Sequence, residues 1–449
     1  MKNPTRRAGR ARPAAPVCAL ALSALSALSV CALTAPATAA PATTASAPPP
    51  ARLTDVPATA VAQARYDLGD QAFTPPAALG YEGRSELAAD VYYPARLGTG
   101  RHPLVLMQHG SWETCADAAA ETDHAAAEAA RDRAEKAGDE AEAARQQAIV
   151  ERTSARLWAW PCAPGTAQIP SSSGYDYLAR ALAGRGFVVV SVGANGINAT
   201  AGGQADTVYR ARAALIDEHL RMWQRLAGSG DGPLRGALTD GRTGAPVKAD
   251  FHGRVDLGDV GLLGHSMGGG GVMQEIADSS RAHWPAGVGI KAAFALAPTA
   301  TWDNDPVTST PFAVMWGTCD QVNTGSFFEQ NRAANRVPIY KYTLTGGNHD
   351  FYNGQWSPSS GQVASRDDAV PGVRPGTCRS QYGGQDPQDQ QDQSRLTERE
   401  QRLITTDRVT AFFERFLRGR TDRQPYLTGT RPFPGEPAGV VTSAYDAGD

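Results

Sequence analysis

The chain is short of several features that would have pointed to a class of function at once. It has no excess of charge of one sign: 43 Lys and Arg stand against 46 Asp and Glu, a formal net charge of -3 over 449 residues. So even a balance excludes the broad basic face of a nucleic-acid binder, and no nucleic-acid partner is expected. Cysteine is scarce, at 6, and so is histidine, at 8. No Cys/His spacing follows that of a zinc site, so no metal is expected. The Gln/Asp repetition at 385–393 lacks the glycine and glutamate spacing of a calcium loop. A long apolar run is missing too. The one candidate, residues 17–33, is slightly short for a membrane span and rich in Ser and Ala.

That run has a better reading as an address. Lys2, Arg6, Arg7, Arg10 and Arg12 precede it, and Ala37-Thr38-Ala39 offers a small-residue cleavage site after it. The pattern predicts a signal peptide over residues 1–40 and a secreted protein. An Ala/Pro/Thr-rich stretch over residues 41–60 follows and reads as a disordered linker. Cleavage leaves Cys115, Cys162, Cys319 and Cys378. An even count in an exported chain points to two disulfides, and three pairings are possible. The simplest one closes Cys115 on Cys162 and Cys319 on Cys378.

From residue 61 to 420 the chain reads as one α/β domain. Strands are expected at 66–73, 85–93, 103–108, 186–192, 259–264, 292–296, 311–316 and 339–344. Several of these are continuously apolar and so suit burial on both faces. Helices are expected at 173–185, 206–226, 326–335 and 398–417. Alternation of the two predicts a mostly parallel sheet with helices on both faces. Residues 113–160 interrupt it. They are rich in Ala, Glu, Arg and Gln, have Gly138 as their one glycine and contain no proline until after 160. This is a helical insertion after the third strand, placed to be either a lid or a surface excursion. Residues 421–449 read as an extended tail.

The chemistry gathers around Gly264-His265-Ser266-Met267-Gly268, followed by Gly269, Gly270 and Gly271. Gly-x-Ser-x-Gly after a strand and before a helix, here expected near Val272, describes a sharp turn that holds a serine out as a nucleophile. A serine hydroxyl needs a neighbouring base. His349, in Gly347-Asn348-His349-Asp350 after the last expected strand, is placed for it. Asp320 follows the strand before, in Gly317-Thr318-Cys319-Asp320, and is the expected acid, with Asp303 and Asp305 as alternatives. An oxyanion hole needs two backbone N–H groups. Met267, directly after the serine, and Ser111, in Gln108-His109-Gly110-Ser111-Trp112, are the expected donors. His109 reads as a brace for that loop, and Trp112, Trp302 and Phe351 as aromatic flanks of the mouth.

Together these motifs resemble the α/β-hydrolase superfamily over roughly residues 66–417, outside the insertion. The elbow is similar to those of cutinase-like polyester hydrolases and of the dienelactone-hydrolase, chlorophyllase and platelet-activating-factor acetylhydrolase-like groups. The resemblance implies an eight-stranded sheet, no cofactor, and hydrolysis of a small-molecule or lipid carboxylic ester by Ser266, His349 and Asp320 without a stable protein partner. The insertion and the long segment after His349 depart from the compact cutinase-like pattern and are expected to reshape the pocket. An envelope acyltransferase would carry the same triad, whereas a non-catalytic binding protein on this fold would need none of it.

Overall fold

Continuous apolar runs make the centre of the sheet. In the computed structural model, which describes residues 59–202, 206–301, 305–365, 373–379 and 392–449, ten strands join in the order β12-β9-β8-β7-β6-β3-β4-β2-β1-β5. They are β1 (Val61–Asp67), β2 (Ala88–Pro94), β3 (His102–Gln108), β4 (Val188–Val192), β5 (Thr239–Asp240), β6 (Val255–His265), β7 (Ile290–Leu296), β8 (Phe312–Gly317), β9 (Ile339–Leu344) and β12 (Val441–Asp446). A separate ribbon pairs β10 (Thr377–Arg379) with β11 (Asp392–Ser394). The expected signal peptide, residues 41–58 of the linker, Trp302, Asp303 and most of 385–393 lie outside the described residues.

β4, β3, β6, β7, β8 and β9 run parallel, while β2, β1, β5 and β12 join antiparallel. The α/β, mostly parallel expectation is met. The expected count of eight strands is corrected to ten. The additions are both edge strands: β5 is two residues long, and β12 brings the tail back against β9, Val441 opposite Leu344. Neither has the apolar run that marked the interior strands.

The helices are α1 (Ala118–Ala137), α2 (Glu140–Leu157), α3 (Asp176–Ala183), α4 (Asn195–Thr200), α5 (Thr207–Ser229), α6 (Met267–Ile276), α7 (Phe327–Asn331), α8 (Glu398–Leu417) and α9 (Gln424–Leu427). α5 and α6 pack into one core cluster with Leu104, Val190 and Leu262; α3 and α8 pack into another with Val105, Val189 and Leu263. Neighbouring residues of a strand thus feed opposite layers, as the two-residue period requires.

The insertion forms a helical hairpin. Asp117 caps α1 by accepting from the Ala120 N–H, Asp139 caps α2 from Glu142, and Gly138 turns between them at φ 71°. Ala120, Ala127 and Ala134, spaced by seven, make the buried seam of α1, and Val150, Thr153 and Leu157 that of α2. The Cys115–Cys162 disulfide closes its base, with Cα atoms 5.6 Å apart. Among the described residues no helix is long and apolar enough to cross a membrane.

Candidate active site

The C-terminal ends of the parallel strands lie along one sheet edge, and every expected site residue follows such an end. β6 stops at His265 and α6 begins at Met267, leaving one residue for the reversal. That residue, Ser266, sits at φ 56° and ψ -127°. For a non-glycine residue this is a strained conformation. A Cβ on Gly264 would overlap the Gly268 carbonyl, and one on Gly268 would overlap the carbonyl oxygens of Gln108 and His109. Both glycines of the motif are therefore steric necessities.

The helix was expected near Val272 and starts five residues earlier. Glycine is a poor helix former, but here tertiary packing overrides propensity. Added Cβ atoms would press on Pro298 from Gly269, Tyr209 from Gly270 and Arg212 from Gly271, at 2.8, 2.7 and 2.6 Å. The glycines let α6 lie close against α5 and the loop after β7.

Asp320 and His349 come together after β8 and β9. His349 Nδ1 lies 3.0 Å from Asp320 Oδ2, and both side chains are buried. A carboxylate only accepts, so the ring proton sits on Nδ1 and the Nε2 lone pair is left for a donor. The other carboxylate oxygen, Oδ1, accepts from Val322 and Asn323 N–H at 2.7 and 2.8 Å. The two loops are zipped together by the Cys319 N–H on the Gly347 carbonyl, 2.8 Å. The Cys319–Cys378 disulfide ties the acid loop to β10. From α8, Gln401 accepts from the Asn348 N–H at 3.0 Å and donates to its carbonyl at 2.8 Å, clamping both sides of the residue before His349.

His265 joins this half to Ser266. Its Nε2 donates to the His349 carbonyl, 3.1 Å, so its Nδ1 accepts from the Tyr175 hydroxyl, 2.9 Å. Burial, then the neighbouring His349, holds it neutral well below the usual histidine range. Its ring stands 4.9 Å from that of His349. Ser266 is 4% exposed and His349 1%.

The loop after β3 touches Ser266 from the other side. A Cβ on Gly110 would overlap Ser266 Cβ and approach the His265 carbonyl to 2.7 Å. Three of the carbonyls here, those of His109, Gly110 and Trp112, are held by side chains. Arg212 Nη1 donates to the His109 carbonyl at 2.9 Å, and Asn198 Nδ2 to those of Gly110 and Trp112 at 3.0 and 3.3 Å. In a trans peptide the N–H is antiparallel to the preceding C=O. The Ser111 N–H therefore points away from Asn198. His109 Nε2 accepts from the Ala194 N–H, 2.9 Å, so its Nδ1–H donates to the Gly110 carbonyl, 2.8 Å. Burial, then Arg212, pushes its pKa down to about 3. It is a brace, as expected, and no base.

Of the other expectations, Asp305 accepts from Gln274 Nε2 and Ser279 Oγ, at 2.9 and 3.0 Å, and is spent there. Trp112 donates its indole N–H to the Val363 carbonyl at 3.0 Å, and Phe351 is buried under the Arg395 guanidinium. Sequence reasoning missed Arg212, Asn198 and Gln401. The one signal for Arg212 was a charge among Val208, Tyr209, Ala211, Leu215 and Ile216 on the buried side of α5. No protein-family model matches the chain, and comparison with curated proteins finds no match.

Proposed function

We propose that the protein is an exported serine hydrolase of carboxylic esters, on an α/β-hydrolase fold. The carrying observation is the strained Ser266, set between two glycines that admit no Cβ, together with a histidine, its ring 4.9 Å from that of the adjacent His265, whose Nδ1–H is committed to a buried aspartate. A plain structural serine needs neither the strain nor the committed pair. The run β1, β2, β4, β3, β6, β7, β8, β9 inside the ten-stranded sheet is compatible with the eight-stranded sheet that the resemblance implies. Two disulfides fit an oxidising compartment.

In this reading Ser266 Oγ attacks the ester carbonyl carbon as His349 Nε2 takes its proton. Asp320 keeps the proton on Nδ1 and stabilises the imidazolium. The carbonyl oxygen, now negative, accepts from the Met267 N–H, a first-turn donor of α6 that has no intrahelical partner, and from the Ser111 N–H. His349 returns the proton to the leaving alcohol. Water repeats the sequence and frees the acid.

The test is turnover of p-nitrophenyl esters of increasing chain length, with stoichiometric labelling by a fluorophosphonate. Ser266→Ala is expected to abolish both. Undiminished turnover in that variant would sink the reading. Transfer of the acyl group to an added alcohol at the expense of hydrolysis would instead identify an acyltransferase.

A further inference from the structure

Arg212 is wholly buried, and among the described residues it forms no ion pair with a carboxylate. Such a cation is costly to keep unless something uses it. The carboxyl that most favours its charge, Glu86, is occupied elsewhere, accepting from the Asn195 and Gly196 N–H groups at 2.7 and 2.9 Å and from Ser85 Oγ at 2.7 Å. Burial lowers the Arg212 pKa to about 10, which leaves the guanidinium charged at neutral pH. Both of its described donor contacts lead to one place. Nη1 reaches the His109 carbonyl, and Nη2 reaches Asn198 Oδ1, which orients that amide so that Nδ2 holds the Gly110 and Trp112 carbonyls. The Arg212 carbonyl in turn accepts from Gln108 Nε2, 3.1 Å, at the end of β3. Gly271 of α6 leaves room for the Arg212 stem to pass.

We propose that Arg212 is a positioning residue for the reaction: it fixes loop 110–112 through Asn198 and holds an unpaired positive charge behind the site where the oxyanion forms. The inference rests on the reading of Ser266 as the nucleophile of an ester hydrolase. A neutral substrate gains little from such a charge, while the tetrahedral intermediate gains a great deal in a site with little water. The charge sits in place before the reaction and does not reorganise. Asn198 is the coupling element, because its amide converts the direction of the guanidinium into the direction of two peptide planes.

The experiment compares Arg212→Gln and Arg212→Lys with the unaltered protein. It measures kcat and KM on a p-nitrophenyl ester and the inhibition constant of an arylboronic acid, whose adduct with a serine is a tetrahedral anion. Arg212→Gln is expected to lower kcat on the order of 10²-fold and to weaken the boronic acid in parallel, with KM within about threefold. Arg212→Lys keeps the charge without the fork, and should recover roughly tenfold of the loss. Unchanged kcat in a folded Arg212→Gln variant overturns the proposal. So does a rise in KM alone with boronic acid affinity intact, which is what a merely structural role would produce. If Arg212→Gln does not fold, Asn198→Ala carries the test, since it keeps the cation and frees the loop. It is expected to lower kcat and boronic acid affinity together, and overturns the proposal if it does neither. Ser266→Ala separates the two readings. If it is inactive while Arg212→Gln is undiminished, only the inference about Arg212 falls; if Ser266→Ala is active, both fall.

Discussion

The two halves of the candidate site are held by different physics. On the base side, the loops bearing Asp320 and His349 are pinned by a disulfide, a backbone bond between them and the Gln401 amide clamp. These are neutral or covalent restraints, indifferent to moderate changes of pH. On the oxyanion side, loop 110–112 is held by a buried guanidinium, an amide and a buried neutral histidine. Those restraints depend on charge state. The difference teaches where each half is vulnerable: the base side to loss of its cross-link, the oxyanion side to protonation and to any change in charge.

The most severe expected break of this division comes from the base side. Asp320→Asn preserves the shape but offers His349 Nδ1 an N–H, which favours the wrong tautomer. Turnover is expected to fall on the order of 10⁴-fold with the melting temperature nearly unchanged. A loss below tenfold would mean that Asp320 does not orient the base. On the oxyanion side, Gly110→Ala sets a methyl group 2.4 Å from Ser266 Cβ. One of the two must shift, and kcat is expected to drop roughly 10²-fold, with labelling by a fluorophosphonate slowed in step. Full labelling at the normal rate would show that the loop yields freely.

Removing the cross-link sharpens the contrast. The double substitution Cys319→Ser with Cys378→Ser is expected to lower unfolding stability by about 2 kcal/mol. Turnover should fall less than about tenfold, because the Gln401 clamp and the Asp320 turn remain; calorimetry and kinetics on one preparation settle the pair of outcomes. A separate effect concerns pH. Burial holds His109 neutral down to about 3 in the folded protein, against roughly 6.5 when unfolded. As pH falls below 6.5 the unfolded chain takes the proton first, so this residue's contribution to stability is lost from there downward at about 1.4 kcal/mol per pH unit. His109→Gln should flatten the acid limb of the stability curve by that slope. Identical slopes in the two proteins would place the acid sensitivity elsewhere.

What was legible in the sequence was what is local. The clash that bars a Cβ at Gly264 comes from Gly268, four residues on, so that part of the steric logic is written in the motif, whereas Gly268 is barred by the distant carbonyls of Gln108 and His109. The order of Ser266, Asp320 and His349 followed from strands that announce themselves as apolar runs. The helical insertion was visible because its run of Ala, Glu, Arg and Gln, interrupted by Gly138 alone, is a property of the segment itself, whereas its alanine seam and aspartate caps appear only in the structure. The rest depended on distant contacts. Arg212 touches loop 110–112 across about a hundred residues of chain, and Gln401 reaches Asn348 from 53 residues away. The start of α6 was misplaced because the reason for its glycines lies on α5 and after β7. The edge strands β5 and β12 were missed because pairing on one side leaves no apolar signature.

The pairing of the tail with β9 has a consequence for the company the molecule keeps. Without β12, the strand Ile339-Tyr340-Lys341-Tyr342-Thr343-Leu344 would present a bare row of N–H and C=O groups, flanked by two tyrosines, to any other chain. β12 covers that row with a strand that is half polar and ends in Asp446, which Arg332 holds in an ion pair at 3.3 Å. The tail therefore works as an edge guard: it keeps the strand that launches the His349 loop from becoming a template for self-association.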